Sequence, residues 1–185
     1  ARPSGCGPGE EGTLPLPRFC LLLGAGDIRP FGRRTFRRAA DGLRIRNALF
    51  GARQRPGLEA VPTTLAGVRH MIKALRSGRA VGLLPDQVPP EGMGQWVPYF
   101  GKPAYTMTLA ARLALQTGAR VVLIWGERLS WGRGYRLHTQ PLGYALSDDL
   151  DTAVVQINQA MEGLIGQCPA QYIWGYARYK KPRKS

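Results

Sequence analysis

Leu84-Pro85-Asp86-Gln87 places a carboxylic acid and an amide directly after the apolar run Ala80-Val81-Gly82-Leu83. In α/β sheets ligands bind at the carboxyl ends of strands, so Asp86 and Gln87 are candidate site residues. The plain alternatives are a turn-capping Asp and a Gln that holds its loop. Lys102 follows Gly101 and stands ahead of a helical pattern. An ammonium near a helix N-terminus suits a phosphate, although a solvated lysine explains it equally. Arg128 lies just past the apolar strand pattern Arg120–Gly126, placed to meet an anionic substrate or to form a rim salt bridge. The only histidines, His70 and His138, exclude a histidine-rich metal centre. Cys6, Cys20 and Cys168 are far apart and odd in number, so no disulfide framework or CxxC site can be read, and a reducing compartment is expected.

These side chains need a scaffold, and 185 residues with 44% apolar content give one domain with a real core. The net charge of +14 and pI near 10.6 are the unusual features. Such a field attracts nucleic acid, anionic lipid headgroups or an acidic protein. No stretch reaches the roughly 20 apolar residues that span a bilayer. Phe19–Leu23 is too short for a signal-peptide core.

The chain divides at Gly51. Residues 1–50 form a Gly/Pro/Arg-rich segment, with residues 1–18 reading as disordered. Nine arginines and no lysine lie between Arg29 and Arg55. Three readings fit them: a nucleic-acid patch with interleaved Phe31 and Phe36, a solvated tail, or GC-rich DNA read out of frame. Nucleic acid is the least favoured, since no recognised binding fold surrounds the run.

Residues 51–185 read as one α/β domain, a mixed sheet flanked by helices. Thr64 caps a helix to Ser77, with Leu65, Val68, Ile72 and Leu75 as its apolar stripe. Strand Ala80–Leu84 follows, apolar throughout and so expected to be buried on both faces. A loop over 86–99 leads to a helix over Ala104–Thr117, stopped by Gly118. Strand Arg120–Gly126 and a hairpin partner at Tyr135–Thr139 come next. Ser147 or Asp148 caps a last helix to Gln167, with Val154, Ile157, Met161, Leu164 and Ile165 on its inner face. Gln171–Tyr179 is aromatic and either strand-like or irregular, with Tyr172, Trp174 and Tyr179 expected in packing. Arg178 and the charges from Lys180 to Lys184 read as a solvated basic tail.

Three pieces in this order, Leu84-Pro85-Asp86-Gln87, Tyr99-Phe100-Gly101-Lys102-Pro103-Ala104 and Gln171-Tyr172-Ile173-Trp174, resemble the lipid A biosynthesis acyltransferases. The resemblance runs from Gly51 to Arg183. It implies transfer of a fatty acyl chain from acyl carrier protein to a hydroxyl of a lipid A precursor, with no metal and no dissociable cofactor. It places the chain peripherally on the cytoplasmic face of the inner membrane, against an anionic surface. Asp86 would be a supporting carboxylate, with Gln87, Lys102 and Arg128 toward substrate.

The same resemblance implies a general-base pair, His followed five positions later by Asp or Glu. Here Leu75 stands five beyond His70 and Gly143 five beyond His138, so the pair is absent from these 185 residues. Impaired activity is therefore the expectation. The alternative is a non-catalytic basic module that binds nucleic acid or anionic membrane.

Overall fold

A computed structural model describes residues 61, 64–131 and 133–184, and the backbone of 19–24. The disorder expected over 1–18 and the arginine run at 29–55 lie outside the described residues.

Among the described residues, six strands and three helices order as β1 (Phe19–Gly24), α1 (Leu65–Arg76), β2 (Ala80–Leu83), β3 (Gly94–Tyr99), β4 (Lys102–Met107), α2 (Leu109–Thr117), β5 (Arg120–Arg128), β6 (Tyr135–Pro141) and α3 (Leu150–Gln167). One sheet has the order β2-β1-β5-β6, and β3 and β4 form a separate hairpin. The helix-flanked α/β architecture is the expected one. The sheet read as mixed pairs antiparallel at every join among the described strands.

β1 is the element that sequence did not suggest. It lies ahead of the boundary drawn at Gly51, yet it is hydrogen-bonded between β2 and β5. Leu21 stands opposite Leu83 on one side and Leu123 on the other. Because β2 and β5 both run against β1, they run with each other. Their carboxyl ends leave the sheet at the same edge. Among the described strands β2 lies at the edge, and of its four residues only Val81 is buried, which corrects the expectation of burial on both faces.

The helices behave as capped amphipathic elements. Thr64 Oγ1 accepts from Gly67 N at 3.3 Å, as expected for α1. The buried face of α1 is Gly67, Met71, Ala74 and Leu75, so the expected stripe turns partly outward and Leu65 is 80% exposed. Asp149 caps α3, accepting from the Thr152 backbone at 2.8 Å and from its hydroxyl at 2.6 Å. The five inward residues expected on α3 are all buried. With Leu75, Leu113, Leu123 and Trp125 they form the core. Each large apolar side chain buried there contributes about 1.5–3 kcal/mol.

The helix expected over Ala104–Thr117 begins only at Leu109, because residues 102–107 are strand β4. The 86–99 stretch conceals β3 in the same way. Its prolines argue against a strand, but Pro98 stands opposite Pro103, one pair in from a two-residue turn. At that pair the backbone N–H groups point away from the ladder, so neither proline removes a rung. The turn residues Phe100 and Gly101 both have positive φ, 47° and 73°. That is the type I′ hairpin geometry, which normally recruits Asn-Gly. A bulky residue there costs about 1–2 kcal/mol.

Cys168 is fully buried and disulfide-bonded, a pairing that the three-cysteine count gave no way to read.

Candidate functional site

The carboxyl ends of β2 and β5 are joined by two consecutive side chains from the C-terminal segment. After α3 the chain makes a 3₁₀ turn at Pro169–Gln171 and crosses the sheet edge. Gln171 faces β5: its Oε1 accepts from Arg128 N at 2.7 Å and its Nε2 donates to Arg128 O at 3.0 Å. Tyr172 faces the turn after β2, where its hydroxyl donates to Asp86 Oδ2 at 3.4 Å. Asp86 and Arg128, 42 residues apart in number, are thus held by one dipeptide.

Behind Asp86 lies a buried polar chain. The Tyr99 and Tyr172 hydroxyls are 3.4 Å apart. Tyr172 has one hydroxyl proton and gives it to Asp86, so Tyr99 is the donor to Tyr172. Two phenols therefore feed one carboxylate in series. Burial pushes both phenols above their ordinary pKa, and the Asp86 charge adds to this at each. Both stay protonated at neutral pH.

Arg178 closes the cluster from the other side. It is 4% exposed, which overturns the solvated-tail reading. Its Nη1 donates to Tyr105 O at 2.8 Å and its Nη2 to Thr106 Oγ1 at 2.6 Å. Its guanidinium carbon lies 4.8 Å from the centre of the Tyr99 ring. Burial lowers its pKa, while Tyr99, Tyr172 and Asp86 act in the opposite direction. Asn158 on α3 ties both strands of the hairpin, donating to Pro98 O on β3 at 2.9 Å and to Thr106 Oγ1 on β4 at 3.2 Å. A buried cation and a carboxylate thus flank two phenols. This arrangement holds negative charge and donates hydrogen bonds.

Of the other expected site residues, Gln87 is exposed beside Asp86, and the adjacent Val88 N donates to Tyr176 Oη at 2.9 Å. Lys102 is exposed at the start of β4, in register with Tyr99. It begins a strand rather than a helix, which removes the helix N-terminus that its phosphate reading relied on. Arg128 is partly buried at the end of β5.

His138 is engaged elsewhere. Its Nε2 is 2.9 Å from Glu127 Oε2, and its ring stacks on Trp125 at 4.4 Å between centroids. Tyr99, Tyr172 and Arg178 are the members of this candidate site that sequence reading passed over. The signal was present in Gln171-Tyr172 and in Arg178, a cation set among aromatics.

The chain belongs to the bacterial lipid A biosynthesis acyltransferase family, whose family model matches residues 33–181. That match begins at Arg33, ahead of Gly51. A lipid A biosynthesis lauroyltransferase of Escherichia coli (strain K12) is 33% identical over 115 residues, covering 61% of this chain and 38% of that protein. The palmitoleoyltransferase of the same strain is 28% identical over 114 residues, covering 61% of this chain and 37% of its own length. A lipid A biosynthesis acyltransferase of Shigella flexneri matches to the same extent. The matched stretch therefore spans well under half the length of these relatives. Among the described residues, no helix is long and apolar enough to cross a membrane.

Proposed function

We propose that the chain takes part in moving a fatty acyl group from acyl carrier protein to a hydroxyl of a lipid A precursor, at the cytoplasmic face of the inner membrane. In that reaction the acceptor oxygen attacks the thioester carbonyl. The C–O bond forms, the C–S bond breaks, and the hydroxyl proton ends on the carrier thiol. Asp86 is the supporting carboxylate, oriented by Tyr172 and Tyr99, with Gln87 toward substrate. Arg128 lies toward the phosphates of the precursor, and Lys102 lies toward them by its exposed ammonium charge alone. Acyl carrier proteins are acidic, so the net charge of +14 suits both partners.

The observation that carries this reading is the donation from Tyr172 to Asp86 at the shared strand edge, inside the family's match. These 185 residues lack the His-x4-Asp/Glu pair, so the general-base contribution, about 100- to 10,000-fold, is not supplied by them. The test is acyl transfer by the purified chain from acyl carrier protein to a lipid A precursor, beside precursor binding. Salt-sensitive precursor binding with turnover near background is expected, and Asp86→Asn should lower whatever transfer remains. Transfer at the rate of an intact family enzyme would sink the claim of impairment. Absence of precursor binding would sink the substrate assignment.

A second reading, a basic binding module, rests on the charge alone. It predicts affinity for any polyanion, falling steeply with salt and indifferent to Asp86.

A further inference from the structure

An open cleft of about 370 Å³ lies between β3 and the first turns of α3, lined by Gln95, Trp96, Val97, Asp151, Thr152 and Val155. The acyl-transfer reading uses none of these residues. Gln95 stands four residues along β3 from Tyr99, roughly 13 Å from the polar chain that ends on Asp86.

Gln95 carries a stranded donor. Its Nε2 is buried and meets no acceptor among the described residues. The cause is its cross-strand neighbour, Thr106. The Thr106 hydroxyl accepts from Arg178 Nη2 at 2.6 Å and from Asn158 Nδ2 at 3.2 Å, and it donates to Ala104 O at 3.2 Å. Both lone pairs and the proton are then in use, so nothing is left for Gln95. A buried amide donor without an acceptor is destabilising, and native structures keep few of them. Asp151 is the one charged side chain among the lining residues, an exposed acceptor in a chain of net charge +14. Val97 and Val155 add apolar surface. Trp96 is 51% exposed, its indole steadied against Tyr105 with ring centroids 5.4 Å apart.

An occupant that suits this cleft accepts from Gln95, donates to Asp151 and offers C–H surface to the indole and the valines. A phosphate or carboxylate would meet the Asp151 charge. An ammonium would leave Gln95 stranded. A hydroxyl both accepts and donates, and a sugar ring carries hydroxyls on its edge and C–H groups on its faces. That matches the balance of apolar walls and few placed polar groups in small-ligand sites. We infer that the cleft binds a neutral saccharide ring, whose hydroxyls bridge Gln95 Nε2 and the Asp151 carboxylate. A free sugar and one sugar unit of a larger glycolipid present the same ring. Sugar binding is read without turnover, so this inference and the acyl-transfer reading fail separately.

The test is an NMR titration of the full chain with methyl β-glucoside, following the Gln95 side-chain amide and the Trp96 indole. Gln95→Met and Trp96→Phe assign the two signals. Saturable shifts with a Kd of about 1 mM are expected. Glucose 6-phosphate should bind there about tenfold more weakly, because its charge meets Asp151. Asp151→Asn should weaken methyl glucoside about tenfold and remove that discrimination. Gln95→Met should abolish binding and raise the urea midpoint, since it removes the stranded donor. Should Gln95→Met misfold, Asp151→Asn at its exposed position still decides. Absence of shifts overturns the inference, as does unchanged affinity in folded Asp151→Asn. A lowered urea midpoint in folded Gln95→Met would show that water already satisfies the amide, and would overturn it too. Displacement of methyl glucoside by a lipid A precursor in micelles would make the ring part of that glycolipid. Binding of both together would make it a free sugar. Either of these upholds the site.

Discussion

The Gln171 side-chain amide replaces a strand residue on Arg128. Among the described residues, β1 pairs with β5 as far as Phe19 opposite Trp125. Beyond that point Gln171 offers Arg128 the donor and acceptor that a further β1 residue would have supplied, at 3.0 and 2.7 Å. The strand end that carries Arg128 is therefore held by a residue of the C-terminal segment.

Gln171→Ala should leave both backbone groups of Arg128 without their partner and lower stability by about 1–3 kcal/mol. Gln171→Glu keeps the acceptor and loses the donor, so it should fall between. Urea unfolding with an unchanged slope checks this. Identical midpoints for wild type and Gln171→Ala would refute the clamp.

Arg178 ties the last segment to β4 through two donors on one planar group. Arg178→Met should destabilise by about 2–4 kcal/mol through the two lost charged-group hydrogen bonds. Arg178→Lys should recover little, because an ammonium cannot reproduce the fork. A lysine variant as stable as wild type would show that charge alone suffices.

Gly94 has no room for a methyl group. A Cβ there would lie 2.5 Å from the Thr106 carbonyl oxygen and 2.8 Å from Pro89 Cγ. Backbone cannot yield as a side chain does, so Gly94→Ala should cost about 1–3 kcal/mol. The donations from Gly92 N and Gly94 N to the Tyr105 hydroxyl, at 2.9 and 3.2 Å, should loosen with it. Faster amide exchange at Gly92 is the accompanying readout.

Asp149 holds its cap as a carboxylate. The Thr152 hydroxyl, then the Thr152 backbone N–H, lower its pKa below the usual Asp range. A group whose folded pKa is depressed stabilises above its unfolded pKa, and that stabilisation is lost as pH falls through the folded value. The difference in melting temperature between wild type and Asp149→Ala should thus be full at neutral pH and shrink below the Asp range. A constant difference down to strongly acid pH would contradict the charged cap.

Local grammar made much of the fold legible. The Thr64 cap, the Gly118 stop and the inner face of α3 follow from period and capping chemistry, which neighbouring residues decide. β3 and β4 were hidden because proline is read as a strand breaker, and only register shows that Pro98 and Pro103 fall at harmless positions. β1 was hidden because six residues in a Gly/Pro-rich context carry too little pattern to reveal partners far along the chain.

In the candidate site, Asp86 stood out in the sequence because a strand and a turn announce it. Arg178 was not. Its charge and its place beside Lys180 argue for solvent, and only tertiary packing supplies the Tyr105 carbonyl and Thr106 hydroxyl that make burial tolerable.

The central place of β1 has a consequence for biosynthesis. Phe19–Gly24 leaves the ribosome ahead of both its partners, Ala80–Leu83 and Arg120–Arg128. At about 5–20 residues per second, the second partner emerges roughly 5–20 s after the first strand. Through that interval the nascent chain carries a Cys-Leu-Leu-Leu segment with both edges open, a natural client for a holding chaperone.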